Sequence, residues 1–135
     1  MKIGEDAVAA MYHFLNSLKE EIGLGKGERV FKYILPENFA GDNYIVINFL
    51  PFVYSNPINE GAVNVNIHAP KLKNNEPNTK LLFNIQRKVV EKFKDSVYLN
   101  GMIFDFGADS SPAKDNDDTY YINLKFNVTY NNLKD

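Results

Sequence analysis

Two stretches of strict alternation constrain this chain more than any other feature in it. In the first, Val63, Val65 and Ile67 fall on one side and Asn64, Asn66 and His68 on the other. In the second, Ile122, Leu124, Phe126 and Val128 fall on one side and Asn123, Lys125, Asn127 and Thr129 on the other. A period of two is the signature of a β-strand with one face in a core. The sheet that holds these strands therefore has an apolar face to cover and a row of Asn, His, Lys and Thr to explain. Such a row lines a catalytic or metal site, meets another protein, or is the wet side of a sheet.

Helical spacing supplies the cover. Val8, Met11, Leu15, Leu18 and Ile22 recur at helical intervals, with Tyr12 on their flank and Gly23 and Gly25 expected to stop the helix. Leu82, Ile85, Val89 and Phe93 make a second stripe, widened by Leu81 and Val90, while Gln86, Arg87, Lys88, Glu91 and Lys92 lie mostly off it. Asn75 or Asn78 caps this helix, and Pro77 is tolerated in its first turn.

The remaining apolar runs read as strands. Residues 29–35 favour one through their aromatic and β-branched side chains. Residues 44–52 are almost continuously apolar, which predicts a central strand buried on both faces, ending or becoming irregular near Pro51. The alternating strand at residues 63–72 is expected to pair with residues 44–50 as a hairpin. Asn100-Gly101 predicts a hairpin turn within residues 97–107. Residues 36–43, 54–61 and 108–119 read as loops, and the last residues as a frayed tail. The order of elements predicts one α+β domain over residues 1–135. Its sheet is mainly antiparallel, with two amphipathic helices packed on one face.

Composition narrows the function classes. A chain of 135 residues with 44% hydrophobic residues suits one globular domain. The formal net charge of -2, with Lys and Arg scattered among Asp and Glu, argues against nucleic acid as the main partner. The absence of cysteine excludes disulfides and thiolate zinc sites. The N-terminal region carries acidic residues where a signal peptide would have a long apolar run, and no segment approaches a membrane span, so no membrane partner is expected. Asn127-Val128-Thr129 matches a glycosylation sequon and reads as a chance match.

Candidate chemistry is sparse. The histidines are His13 and His68, and they lack the spacing of a metal-binding pair. His13, between Tyr12 and Phe14, reads as a half-buried structural residue. Asp115, Asn116, Asp117 and Asp118 suggest calcium, but the EF-hand order of ligands and glycine is missing, and a solvated acidic loop is the better reading. Asp105, between Phe104 and Phe106, falls on the wet face. No serine sits in a nucleophile elbow. What remains are polar strand faces, long polar loops, and aromatics such as Phe39 and Phe52 near loop ends, a combination suited to protein–protein contact.

In the order of its elements, the chain resembles the small tail-terminator or tail-completion (head–tail joining) proteins of long-tailed bacteriophages. Less closely, it is similar to neighbouring neck and connector proteins. The resemblance runs through AVAAMYHFLNSL, RVFKYIL, NYIVINFL, VNVNIHAP, NTKLLFNIQRKVVEKF, a hairpin and YYINLKFNVTY, and spans most of residues 5–130. It implies a structural subunit that forms a ring, usually of six, at the end of the tail tube, stops tube growth, and docks to the head or neck. It implies no catalysis and no cofactor, self, tail-tube and head or neck proteins as partners, and a place in the virion or, during assembly, the host cytoplasm. On this view Asn64, Asn66, His68, Asn123 and Asn127 face solvent or a neighbouring subunit, and His68→Ala leaves folding nearly intact. The competing expectations are a small metal-dependent or hydrolytic enzyme using His68 and the acidic loop, and a generic protein-binding module such as an antitoxin-like or regulatory partner.

Overall fold

The computed structural model describes residues 1–39, 41–116 and 118–132. Along them run α1 (Gly4–Ser17), β1 (Val30–Lys32), β2 (Tyr44–Tyr54), β3 (Ile58–Pro70), α2 (Thr79–Glu91), β4 (Val97–Leu99), β5 (Met102–Asp109), β6 (Ala113–Lys114) and β7 (Thr119–Asn131). The strands form one sheet in the order β1-β2-β3-β7-β5-β4, with β6 paired to β7. Apart from the parallel β1–β2 pair, the pairings are antiparallel. The fold is α+β, with both helices on one face of the sheet.

The two alternating strands lie side by side at its centre. β3 and β7 pair from Ile58↔Asn131 to Pro70↔Thr119, which sets Val63 against Phe126, Val65 against Leu124 and Ile67 against Ile122. All six side chains are buried. α1 covers part of this layer with Ala7, Val8, Met11 and Leu15. Its N-terminus is held by Asp6, whose Oδ2 accepts a hydrogen bond from the Ile3 amide at 2.8 Å. α2 is capped by Asn78, whose Oδ1 accepts from the Leu81 amide at 3.2 Å, and it buries Leu82, Ile85 and Val89. Phe93, just past its end, is also buried, with ring centroids 4.5 Å from Phe126 and 5.4 Å from Phe14.

Several boundaries differ from the sequence expectation. α1 ends at Ser17, one and a half turns before Gly23. Asn16 and Ser17 compete with the helix through their own side chains, and Ser17 Oγ donates to the Phe14 carbonyl at 2.7 Å. The chain then bends through turns that sink Ile22 and Leu24 into the core. β1 keeps only three residues and runs parallel to β2. Tyr33 follows it with φ +69°, which breaks extended backbone, and Leu35 and Phe39 of the crossover to β2 pack on the sheet's other face. β2 is buried on both faces only from Tyr44 to Ile47, because that crossover covers only its first half. Beyond the register shift between Leu50 and Val53, beside Pro51, β2 continues to Tyr54 as a largely exposed arm alongside the start of β3, which is itself paired with β7. Part of the loop expected at residues 54–61 is thus strand. The loop at residues 108–119 contains β6. The expected Asn100-Gly101 turn is present, with φ +50° and +80°. The frayed tail read at the C terminus falls, from residue 133, outside the described residues.

Ile85 sits at the centre of the α2 stripe and is fully buried. Ile85→Ala should lower unfolding free energy by about 2–5 kcal/mol in denaturant melts. A loss within the surface scatter of about 0.5 kcal/mol would place a different face of α2 in the core.

Candidate functional site

The polar face of the sheet is built by register. Asn48 of β2 sits opposite Asn64 of β3, and Asn66 of β3 opposite Asn123 of β7. Because all four side chains point away from the helices, their amides meet. Asn64 Nδ2 donates to Asn48 Oδ1 at 2.9 Å. Asn123 Nδ2 donates to Asn64 Oδ1 at 3.1 Å and to Asn66 Oδ1 at 2.9 Å. The row that alternation puts outside the core is therefore a hydrogen-bonded amide chain across three strands.

One step along the same register, Tyr44, His68 and Tyr121 stand abreast. The His68 ring stacks on Tyr44 with centroids 4.5 Å apart and on Tyr121 at 5.4 Å. Tyr44 meets Phe39 on its far side at 5.1 Å, and Phe39 in turn meets Phe31 at 5.3 Å. This second, smaller apolar cluster lies beneath the crossover. His68 is only 7% exposed. Its Nδ1 lies 3.3 Å from Asp115 Oδ2, but the approach falls outside hydrogen-bond geometry and leaves the buried nitrogen without such a partner. Thr119 Oγ1 also donates to Asp115 Oδ2, at 3.4 Å.

The turn carrying Asp115 is organised by Asn116, whose Oδ1 accepts from the amides of Asp118 at 2.8 Å and Thr119 at 3.1 Å. Asp118 pairs with Lys71 at 3.7 Å. Asp117 of the same acidic run lies outside the described residues. Between this turn and the crossover is a cleft of about 430 Å³, with Tyr33, Asn48, Asn66, His68, Asp115 and Tyr121 among its walls.

Burial pushes the His68 imidazole below its usual pKa, and the carboxylate of Asp115 pulls it part of the way back. Burial first and Asp115 second raise the Tyr44 phenol, while a hydrogen bond with Thr119 opposes them. His68 is thus neutral at pH 7, with the Asp115 side chain facing it. Among the described residues, no three His, Asp or Glu side chains gather as a metal-binding group.

The expected contact residues divide. Asn64, Asn66 and Asn123 come together, but they bond to one another. His68 does not face solvent, which corrects the sequence expectation: paired register places it between two tyrosines. Asn127 stays exposed and stands apart from the amide chain. Asp105 is on the polar face, as alternation implies, and accepts a hydrogen bond from Ser96 Oγ. His13 is exposed rather than half-buried, with its ring against the edge of Tyr12. Sequence reasoning missed Tyr44 and Tyr121 as partners of His68, because register alone brings them together; the enzyme alternative had joined His68 to the acidic loop, and Asp115 of that loop does reach it.

A second feature is the exposed arm. Tyr33, Phe49, Phe52 and Tyr54 form a continuous row of rings, with successive centroids at 6.3, 6.0 and 6.3 Å. Two glycines make room for it: a Cβ on Gly4 would overlap the Phe49 ring, and one on Gly61 would overlap Phe52. Val53 and Ile34 beside the row are 64% and 77% exposed. Of this group, only Phe52 stands out in the sequence, as an aromatic near a loop end.

No family model matches the chain, and a search of curated proteins finds no significant match. Among the described residues, no helix is long and apolar enough to cross a membrane.

Three outcomes follow from the polar layer. Asn123→Ala should cost about 1–3 kcal/mol in a denaturant melt, since it removes two part-buried hydrogen bonds at about 0.5–1.5 kcal/mol each; an unchanged midpoint would mean that the amide chain contributes nothing. His68→Ala should cost about 1–3 kcal/mol, contrary to the neutral effect expected from sequence. The pH dependence has a definite sign. The unfolded imidazole titrates near pH 6.5 and the folded one lower, so below about pH 6.5 the unfolded chain binds more protons. Stability should therefore fall from pH 7.5 to 5.5, by at most about 1.4 kcal/mol per pH unit for this one group. His68→Phe should flatten that slope; an equal slope in the two proteins would contradict the assignment.

Proposed function

We propose that this chain is a non-enzymatic assembly subunit of the tail-terminator type. It forms a ring at the end of a tail tube, stops further growth, and presents a docking surface to the head or neck. The observation that carries this reading is the exposed arm. Its aromatic row is seated over two glycines, with Phe52 packed on the core and Phe49 and Tyr54 left exposed, as a surface built to be covered is. Large exposed apolar patches on otherwise ordinary domains mark association sites. The element order on which the resemblance rests also supports the reading: a helix, strands, a second helix, a short hairpin and a long last strand.

The contact between His68 and Asp115 favours a second reading, a small hydrolase or metal-dependent enzyme. A carboxylate beside a neutral imidazole is a recognised general-base arrangement. Against it, His68 is clamped between two rings, and no Ser, Thr or Cys is among the residues lining the cleft. Stoichiometric metal in the purified protein, lost in His68→Ala, would put the enzyme first.

The assembly reading is tested with polymerising tail-tube subunits in the electron microscope. Added in small amounts, the protein should yield capped tubes of uniform length. Alone, it should move in sedimentation velocity from monomer toward about six times the 15.4 kDa chain mass as concentration rises. A strict monomer that also leaves tube growth unchanged would refute the proposal. A tight two-fold dimer would favour a generic binding module instead.

A further inference from the structure

The cleft on the polar face has a charge character that the amide chain does not explain. Among the described residues that line it, Asp115 is the one acidic side chain, and there is no Lys or Arg. Lys71, beside the same turn, is engaged by Asp118 at 3.7 Å and is not among the walls. An anionic ligand would therefore meet a carboxylate and no counter-charge. His68 is a second, independent observation. It forms part of the wall and is only 7% exposed, and its Nδ1 has no hydrogen-bond partner although Asp115 Oδ2 lies 3.3 Å away. A carboxylate only accepts, and a neutral imidazole accepts at its unprotonated nitrogen. The pair thus lacks a donor. The Asp115 side chain is 39% exposed, so a donor can reach it from solvent.

We infer that this cleft binds a small organic cation, a primary ammonium or guanidinium head on a short aliphatic chain, with Asp115 as its counter-ion. The N–H groups of such a head donate to the Asp115 carboxylate beside His68, a charge-assisted bond of the stronger kind. Tyr33, 44% exposed, and the part-exposed Tyr121 add aromatic rings, whose faces attract cations. Ile34 and Leu35 of the crossover give the aliphatic chain an apolar wall. The volume of about 430 Å³ falls within the roughly 300–1,000 Å³ of small-molecule sites. Among the described residues no third His, Asp or Glu joins His68 and Asp115, so the donor set suits an organic head with its own N–H groups better than a metal ion. The inference is independent of the assembly reading and involves no catalytic step.

The test is an NMR titration of the isotope-labelled full chain with n-butylamine and n-butylguanidine. Their counterparts of the same length, n-butanol and butyrate, serve as neutral and anionic probes. The two cations should shift the amides of Asn48, Asn66, His68, Asp115 and Tyr121 saturably, and the alcohol and the carboxylate should not. That contrast needs no variant. Asp115→Asn, first shown to be folded by circular dichroism, should weaken binding of the cations by about tenfold or more, the loss expected for a hydrogen bond to a charged group. Asp118→Asn, in the same turn but outside the cleft, should leave binding unchanged. Equal weakening by both variants would mean diffuse attraction to the acidic loop and overturn the inference. So would butanol shifting the same amides as strongly as butylamine, or no saturable shift with either cation. A capped tripeptide with a central Lys or Arg separates the two sources of such a head. Tighter binding of the peptide than of the free amine would overturn the small-molecule assignment and give the head to a side chain of another polypeptide.

Discussion

The pairing of β3 with β7 is the constraint on which the rest of the structure depends. Its register runs without interruption over the length of both strands. Since successive side chains point to opposite faces, a slip of one residue would turn Val63, Val65 and Ile67 toward the amides and Asn64, Asn66 and His68 toward the helices. Burying three unpaired polar groups in an apolar layer would be strongly unfavourable. The same register that completes the core therefore also aligns Asn66 with Asn123 and His68 with Tyr121. Core and polar layer are two consequences of one pairing.

The polar layer differs from the usual wet side of an antiparallel sheet. The crossover carrying Leu35 and Phe39 and the turn around Asn116 cover one end of it, burying His68 and leaving a cleft beside the amide chain. Asn48, Asn64, Asn66 and Asn123 satisfy one another across β2, β3 and β7 without introducing charge. Their hydrogen bonds tie the three strands together on the side that no helix supports. This role accounts for a face rich in Asn without requiring a substrate or a partner. It also shifts attention to the arm, where Val53 and Tyr54 are 64% and 49% exposed.

The parts of the fold legible in the sequence are those governed by local period. The stripe Leu82, Ile85 and Val89 and the alternation of β3 and β7 each encode a face, and the structure buries those faces. Asn100-Gly101 encodes its turn because both residues take positive φ there. The unread parts depend on distant partners. Nothing near Arg29 signals that β1 runs parallel to β2, because strand direction is set by where the crossover lands. Nothing near His68 names Tyr44, Tyr121 or Asp115, which arrive from three other segments. The even spread of apolar residues from Tyr44 to Phe52 hides the change from buried strand to exposed arm, since the sequence does not show where the crossover's cover ends.

These observations separate a polar layer that holds the sheet together from the exposed aromatic row that we propose as the association surface. Hydrogen exchange, followed by mass spectrometry on dilute protein and on the associated form, tests that division most directly. Association should slow exchange in residues 49–55 and leave residues 63–68 and 119–125 unchanged. Slowed exchange confined to residues 63–68 and 119–125, with the arm still exchanging freely, would make the polar row the interface and contradict the account.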